Sequence, residues 1–163
     1  MQSISLWEPW ASLIRTGAKT FETRHWRTEN RGVILICAAK GGMSKQDLYS
    51  HLSMAKFQQG LSPLLGGMAH ERVGRKVQYH HLNFGKAVAI ATLTRCVPTA
   101  KIPMQEIENE LSFGNFGPDR FGWKLENVFT DFYPFTVVGK QGFFDTSDDL
   151  IREKAPGYFE VVR

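Results

Sequence analysis

The apolar residues of this chain come in short bursts, and that spacing constrains its fold more than any other feature. Ser3 to Leu6, Thr20 to Trp26, Val33 to Ala38, Lys86 to Val97, Phe121 to Val128, Phe135 to Val138 and Phe159 to Val162 each read as strands. Helix signals are fewer. They follow Pro9 and Ser44, and appear again at Pro103 to Leu111 and at Asp148 to Lys154. Many short strands with few helices predict an α+β fold built on a small, closed, mostly antiparallel β-barrel with flanking helices. The 163 residues fit one domain, 1–163.

Local signals refine this outline. Pro9 suits the first helical position, Trp7, Trp10, Ala11 and Ile14 recur at helical spacing, and Gly17 suits a left-handed cap. Glu29-Asn30-Arg31-Gly32 reads as the turn between the second and third strands. Ser44 is a capping residue with Asp47 in the first turn. Leu48, Leu52 and Ala55 form the inner stripe of that helix, and Gly60 is its expected end. Leu61 to Leu82, with Pro63, Gly66, Gly67 and Gly74 and no clean period, reads as a loop insertion. In the long strand that follows, alternation places Val88, Ile90, Thr92 and Thr94 on one face.

The chemistry concentrates near the N-terminus. Trp7-Glu8-Pro9-Trp10 precedes Gly17-Ala18-Lys19-Thr20-Phe21-Glu22-Thr23-Arg24-His25-Trp26. Charges and indoles interleave there on one turn and one short strand, whereas a core segment avoids unpaired charge. The spacing Gly17-x-Lys19-x-x-Glu22-x-Arg24-x-Trp26, after Leu6-Trp7-x-Pro9-Trp10-Ala11-x-Leu13-Ile14, resembles the ASCH domain. That family is named for the activating signal cointegrator, and its fold is similar to the PUA domains of RNA-modifying enzymes. The likeness continues in Gly85 to Ala91, in Gly117-Pro118-Asp119-Arg120-Phe121-Gly122-Trp123-Lys124-Leu125-Glu126, and in Gly139-Lys140-Gln141-Gly142-Phe143-Phe144.

The resemblance implies a cleft beside the first helix that holds Lys19, Glu22 and Arg24. Alternation puts Thr20, Glu22, Arg24 and Trp26 on one strand face. Glu22 either neutralises a neighbouring cation or orients Lys19 or Arg24 toward a phosphate or base edge, a task that suits the planar fork of Arg. Trp7 and Trp26 are expected to line the cleft, and Trp10 and Trp123 to pack in the core. Arg27 joins the phosphate-contacting set, Arg120 is placed near the cleft by the resemblance, and Lys140 sits in a glycine turn that would suit a phosphate.

Charge divides unevenly. Residues 1–86 hold twelve Lys or Arg against five Asp or Glu, a net of +7, and the remainder holds eight against eleven, a net of −3. Positive potential therefore gathers in the half that carries the tryptophan motif. No apolar run approaches the ~20 residues of a membrane span. Met1 to Ser5 lacks the features of a secretory signal, so a cytoplasmic location is expected. Cys37 and Cys96 read as buried reduced thiols, and the five histidines lack ligand-like spacing. Neither a metal nor another cofactor is expected.

Three function classes follow. The first is a nucleic-acid-binding module, with RNA favoured over DNA. The second is a hydrolase acting on RNA or on a modified nucleoside, with Lys19 and Glu22 as its catalytic pair. The third is a protein-interaction domain of the coactivator type. A bacterial branch of the superfamily is similar to amidohydrolases of acetylated cytidine, with a threonine nucleophile three positions after the lysine. This chain has Glu22 there, and a carboxylate does not supply that ester intermediate. Glu22 would instead have to activate water, with a cation stabilising the oxyanion.

Overall fold

The computed structural model describes residues 1–162. One curled sheet runs in the order β2-β5-β4-β3-β1-β7, and a short strand β6 adds to β4. Its strands are β1 (Gln2–Leu6), β2 (Phe21–Arg24), β3 (Gly32–Ala38), β4 (Lys86–Pro98), β5 (Phe121–Phe129), β6 (Phe135–Thr136) and β7 (Phe143–Asp145). All pairings in it are antiparallel except β1 with β3, which run parallel. The sheet forms a half-barrel, with β2 and β7 as its two ends rather than partners.

Bulges produce the curl. Register shifts interrupt β3 against β4 after Ile36, and β4 against β5 after Ile90 and Leu93. Each inserts an extra residue and sharpens the local twist. At the first, Ile36 faces Ala89 and Cys37 faces Ala87, so Val88 is the residue without a counterpart. The expected shared face of Val88 and Ile90 is therefore broken. Val88 packs on the helix side of the sheet and Ile90 on the other. Arg15 donates to the Val88 carbonyl, and to those of Phe132 and Thr130 at 3.1 and 3.3 Å, tying helix to bulge.

β3 is apolar along its whole length because both of its faces are covered. Ile34 and Ile36 point into the core beneath α1 (Trp10–Arg15), and Leu35 and Cys37 into the core on the opposite face. A further core lies among Leu13, α2 (Lys45–Ser53), α3 (Ala55–Leu61) and residues 77–82. Ser44 caps α2 by accepting from the Asp47 N–H at 3.1 Å. The helix breaks at Met54 and restarts, so Ala55 is exposed rather than part of the inner stripe, and Gly60 lies within α3 rather than at its end. Residues 61–82 form successive single 3₁₀ turns, anchored by buried Leu61, Val77 and Leu82.

Two further expectations are corrected. The turn at 29–32 does not pair its flanking strands, because β2 crosses to β5. The expected helix at 148–154 is instead β8 (Ile151–Ala155), in a hairpin with β9 (Tyr158–Val161). Ile151 faces the core, while Arg152 and Lys154 reach Glu160 of the partner strand at 3.1 and 2.9 Å. Cross-strand pairing sets these charges at every second position, the period of a strand rather than of a helix. A short α4 (Met104–Ile107) precedes the loop that forms one wall of the cleft.

Candidate ligand cleft

Gly17 adopts φ +79° after α1, a left-handed turn that reverses the chain toward β2. Lys19 sits at this reversal with its side chain 1% exposed. Its ammonium donates to the carbonyls of Phe21 at 2.6 Å and Phe113 at 2.8 Å, and faces Glu22 Oε2 at 3.5 Å. Two of the three ammonium N–H groups are thus met by carbonyls, and the Glu22 carboxylate supplies opposite charge beside the third. Burial pulls the Lys19 pKa below its ordinary value, while the negative charges of Glu22 and Glu110 oppose that shift. The acceptors around it, two carbonyls and a carboxylate, favour the charged form.

Along β2 the side chains alternate. Phe21 and Thr23 are buried, and Glu22 and Arg24 face a cavity of about 500 Å³. Glu22 Oε1 lies 3.0 Å from Arg24 Nε, so one carboxylate stands between the two cations. That N–H is not aligned with the oxygen, and Arg24 Nε has no hydrogen-bond partner. Arg24 Nη2 donates to the Ser5 carbonyl at 3.3 Å. From β5's leading turn, Arg120 Nη2 donates to the Thr23 carbonyl at 3.2 Å, leaving its own buried Nε unpartnered. Ser5 Oγ is a third buried polar atom without a partner. All three belong to residues that line the cavity. A fourth such atom among the described residues, Trp123 Nε1, lies outside the cavity lining. Buried polar groups are rarely left unsatisfied, so three of the four meeting at one cleft mark it.

The rim is aromatic. Trp7 is 52% exposed, yet one edge of its indole rests on the backbone at Gly42, where a Cβ would come within 2.4 Å of Nε1. Trp10 is half-buried and lines the cleft while also packing on the helical core. His51 reaches the cavity from α2, edge-on to Trp10 at 5.4 Å. The far wall is the 112–115 segment, held by the Lys19 bond to Phe113 and by Asn115 N–H donating to Thr23 Oγ1 at 3.0 Å.

Glu110 underpins this wall, and no sequence pattern distinguished it from Glu106 and Glu108. It is 4% exposed, and its carboxylate accepts from the Thr20 N–H, the Thr20 hydroxyl and the Phe21 N–H at 2.8, 2.5 and 3.0 Å. The buried Glu8 does similar work at the start of α1. It accepts from the Ser12 N–H and hydroxyl and from the Asn83 N–H. Ser5, His51 and Asn115 also line the cavity without a motif to mark them.

The structure therefore brings together Trp7, Lys19, Glu22, Arg24 and Arg120. It separates Trp26, Arg27 and Lys140 from them. β2 ends at Arg24, so its alternation does not reach Trp26. That ring packs edge-on against Trp123 at 4.5 Å and Phe143 at 6.1 Å. Arg27 is exposed and pairs with Glu29 at 2.7 Å. Lys140 is exposed in the β6–β7 loop outside the cavity lining, although Gly139 abuts Ser5. Among the described residues, no group of three or more His, Cys, Asp or Glu is placed to hold a metal ion, and no helix is long and apolar enough to cross a membrane.

Comparison with known families places this geometry. The family model of the ASCH domain matches residues 4–137, which includes every cleft-lining residue and stops before β7. No curated protein matches the chain.

Proposed function

This chain belongs to the ASCH domain family, and from that premise we propose that it binds single-stranded nucleic acid, RNA in preference to DNA. One unstacked nucleotide enters the cleft. The observation that carries this reading is the pair of guanidinium groups, Arg24 and Arg120, that line a cavity rimmed by the exposed indole of Trp7. The buried Arg120 Nε has no partner, and Arg24 Nε is ion-paired with Glu22 without an aligned hydrogen bond. Three cations line the cavity against one carboxylate, which favours an anionic or acceptor-rich ligand. The volume of about 500 Å³ falls in the range of small-ligand sites. Trp7 offers a face on which a base stacks.

In this reading Lys19 and Glu22 are positioning residues. Lys19 directs two N–H groups to the carbonyls of Phe21 and Phe113 and faces Glu22 at 3.5 Å, so it holds the two walls together from a buried position. Glu22 steadies Arg24. The test is binding of single-stranded RNA and DNA across a range of salt, for the parent and for Arg24→Gln and Arg120→Gln. Affinity should fall linearly with salt on a log–log plot, and each variant should bind more weakly to all sequences. A folded parent that shows no salt-dependent binding overturns the reading. Turnover of RNA or acetylated cytidine that is lost in Glu22→Gln would replace it with the hydrolase.

A further inference from the structure

A second groove, of about 840 Å³, lies between α2–α3 and residues 74–80. Its walls are fastened by one amide. Gln58 Nε2 donates to the carbonyls of Leu52 and Val77 at 2.7 and 2.9 Å, and Gln58 Oε1 accepts from the Val77 N–H at 2.8 Å. Because Val77 is also buried in the helical core, the segment is fixed against α3 rather than draped over it. Arg75 and Lys76 are exposed along the groove, Arg75 Nη2 donating to the Leu65 carbonyl at 3.3 Å, and among the described residues no carboxylate lines it. Tyr49 is 54% exposed, 6.4 Å from Tyr79, which is itself stacked on Phe84 at 4.8 Å. Lys45 Nζ stands 5.5 Å from the centre of the Tyr79 ring.

The same helix serves both cavities. His51 of α2 lines the cleft, and Tyr49 of α2 lines the groove. Two residues along a helix turn the side chain by roughly 200°, so these two face opposite sides. Only the width of one helix, about 10–12 Å, separates the sites.

We propose that this groove is a second nucleic-acid subsite, which takes the nucleotides of a strand that crosses α2 from the cleft. The proposal rests on the reading of the cleft as a nucleic-acid site. Bases stack on the open face of Tyr49, and phosphates meet Arg75 and Lys76. An aromatic platform beside cations with no opposing carboxylate is the pattern of sequence-tolerant strand binding. An acidic peptide would satisfy the cations and leave the tyrosine face unused.

The test compares ribo-oligonucleotides of about three and about twelve nucleotides, lengths below and within the span of known strand-binding modules. The proteins are the parent, Tyr49→Ala and the double variant Arg75→Gln/Lys76→Gln, each checked for folding by circular dichroism. The parent should bind the longer strand about tenfold more tightly, and Tyr49→Ala should remove most of that gain without changing short-strand binding. The double variant should lower the salt slope for the long strand by about 1.4. Equal parent affinity for both lengths overturns the proposal, as does parent-like long-strand binding in both folded variants. Displacement of the long strand by polyglutamate that is equally effective in Tyr49→Ala overturns it in favour of an acidic peptide. Long-strand binding that depends on Tyr49 but not on Arg24 supports the groove and removes the cleft reading instead.

Discussion

The ammonium of Lys19 donates to the carbonyl of Phe113, 94 residues later in the chain, at 2.8 Å. That bond closes the cleft at its base, joining the entrance of β2 to the opposite wall. Lys19→Met keeps the length of the side chain and removes the charge. It strands two carbonyls and leaves Glu22 without one of its cations. Breaking a buried pair in this way costs about 3–5 kcal/mol. Denaturant unfolding should show a loss of that size, and a change below about 1 kcal/mol would mean that the ammonium is not holding the wall.

Trp7 and Trp26 should separate cleanly. Trp7→Ala removes a half-exposed ring, so it should destabilise the fold less than Trp26→Ala does, while oligonucleotide affinity falls by about 1–3 kcal/mol. Trp26→Ala removes a partly buried ring packed against Trp123 and Phe143. It should destabilise the fold by less than the ~3–5 kcal/mol of a fully buried tryptophan and leave the affinity of the folded fraction unchanged. Thermal melts and anisotropy titrations on both variants decide the matter. An affinity loss confined to Trp26→Ala would reverse the assignment.

Glu110→Ala deprives two N–H groups and a hydroxyl of their acceptor at the entrance of β2. Each unmet buried donor costs about 1–3 kcal/mol. Amide exchange should therefore accelerate at Thr20 and Phe21 before it does in β3 and β4. Uniform acceleration across the sheet would show that Glu110 serves global stability rather than this corner.

Glu8 supplies a pH dependence. Burial raises its pKa above the ordinary 4.5, against the opposing effect of its three hydrogen bonds. An acid whose folded pKa is raised contributes stability in full below its unfolded value, and that stability is lost as the pH climbs through the folded value. Glu8→Gln stays neutral throughout. It carries a constant penalty because an amide cannot accept every bond the carboxylate does. The stability gap, variant minus parent, should shift toward the variant as the pH rises above 4.5. Unfolding midpoints measured across that range would show a flat gap if the folded value is not raised.

The sequence made the strands legible wherever one pattern dominated. β3 reads as an unbroken apolar run because cores cover both of its faces, and α2 announces itself through Ser44 and Asp47. The bulge at Val88 left no trace, since any residue of a long strand serves as the extra one. β8 was expected as a helix, and the partner that marks it as a strand, Glu160, lies across a turn. At the cleft, local spacing brought out Lys19, Glu22 and Arg24. Glu110 and His51 stayed hidden, because their roles come from elements that meet only in three dimensions. Trp26 misled for a simple reason: the strand ends two residues before it.

The pairing of β2 with β5 also sets a schedule for the making of the protein. Thr20 waits for Lys124, 104 residues downstream, before its strand has a neighbour. At about 5–20 residues per second, translation leaves that edge open for several seconds after it has left the ribosome. During that interval Arg24 has no opposing wall, so the growing chain has no cleft. The cleft therefore takes shape only after most of the domain has been synthesised.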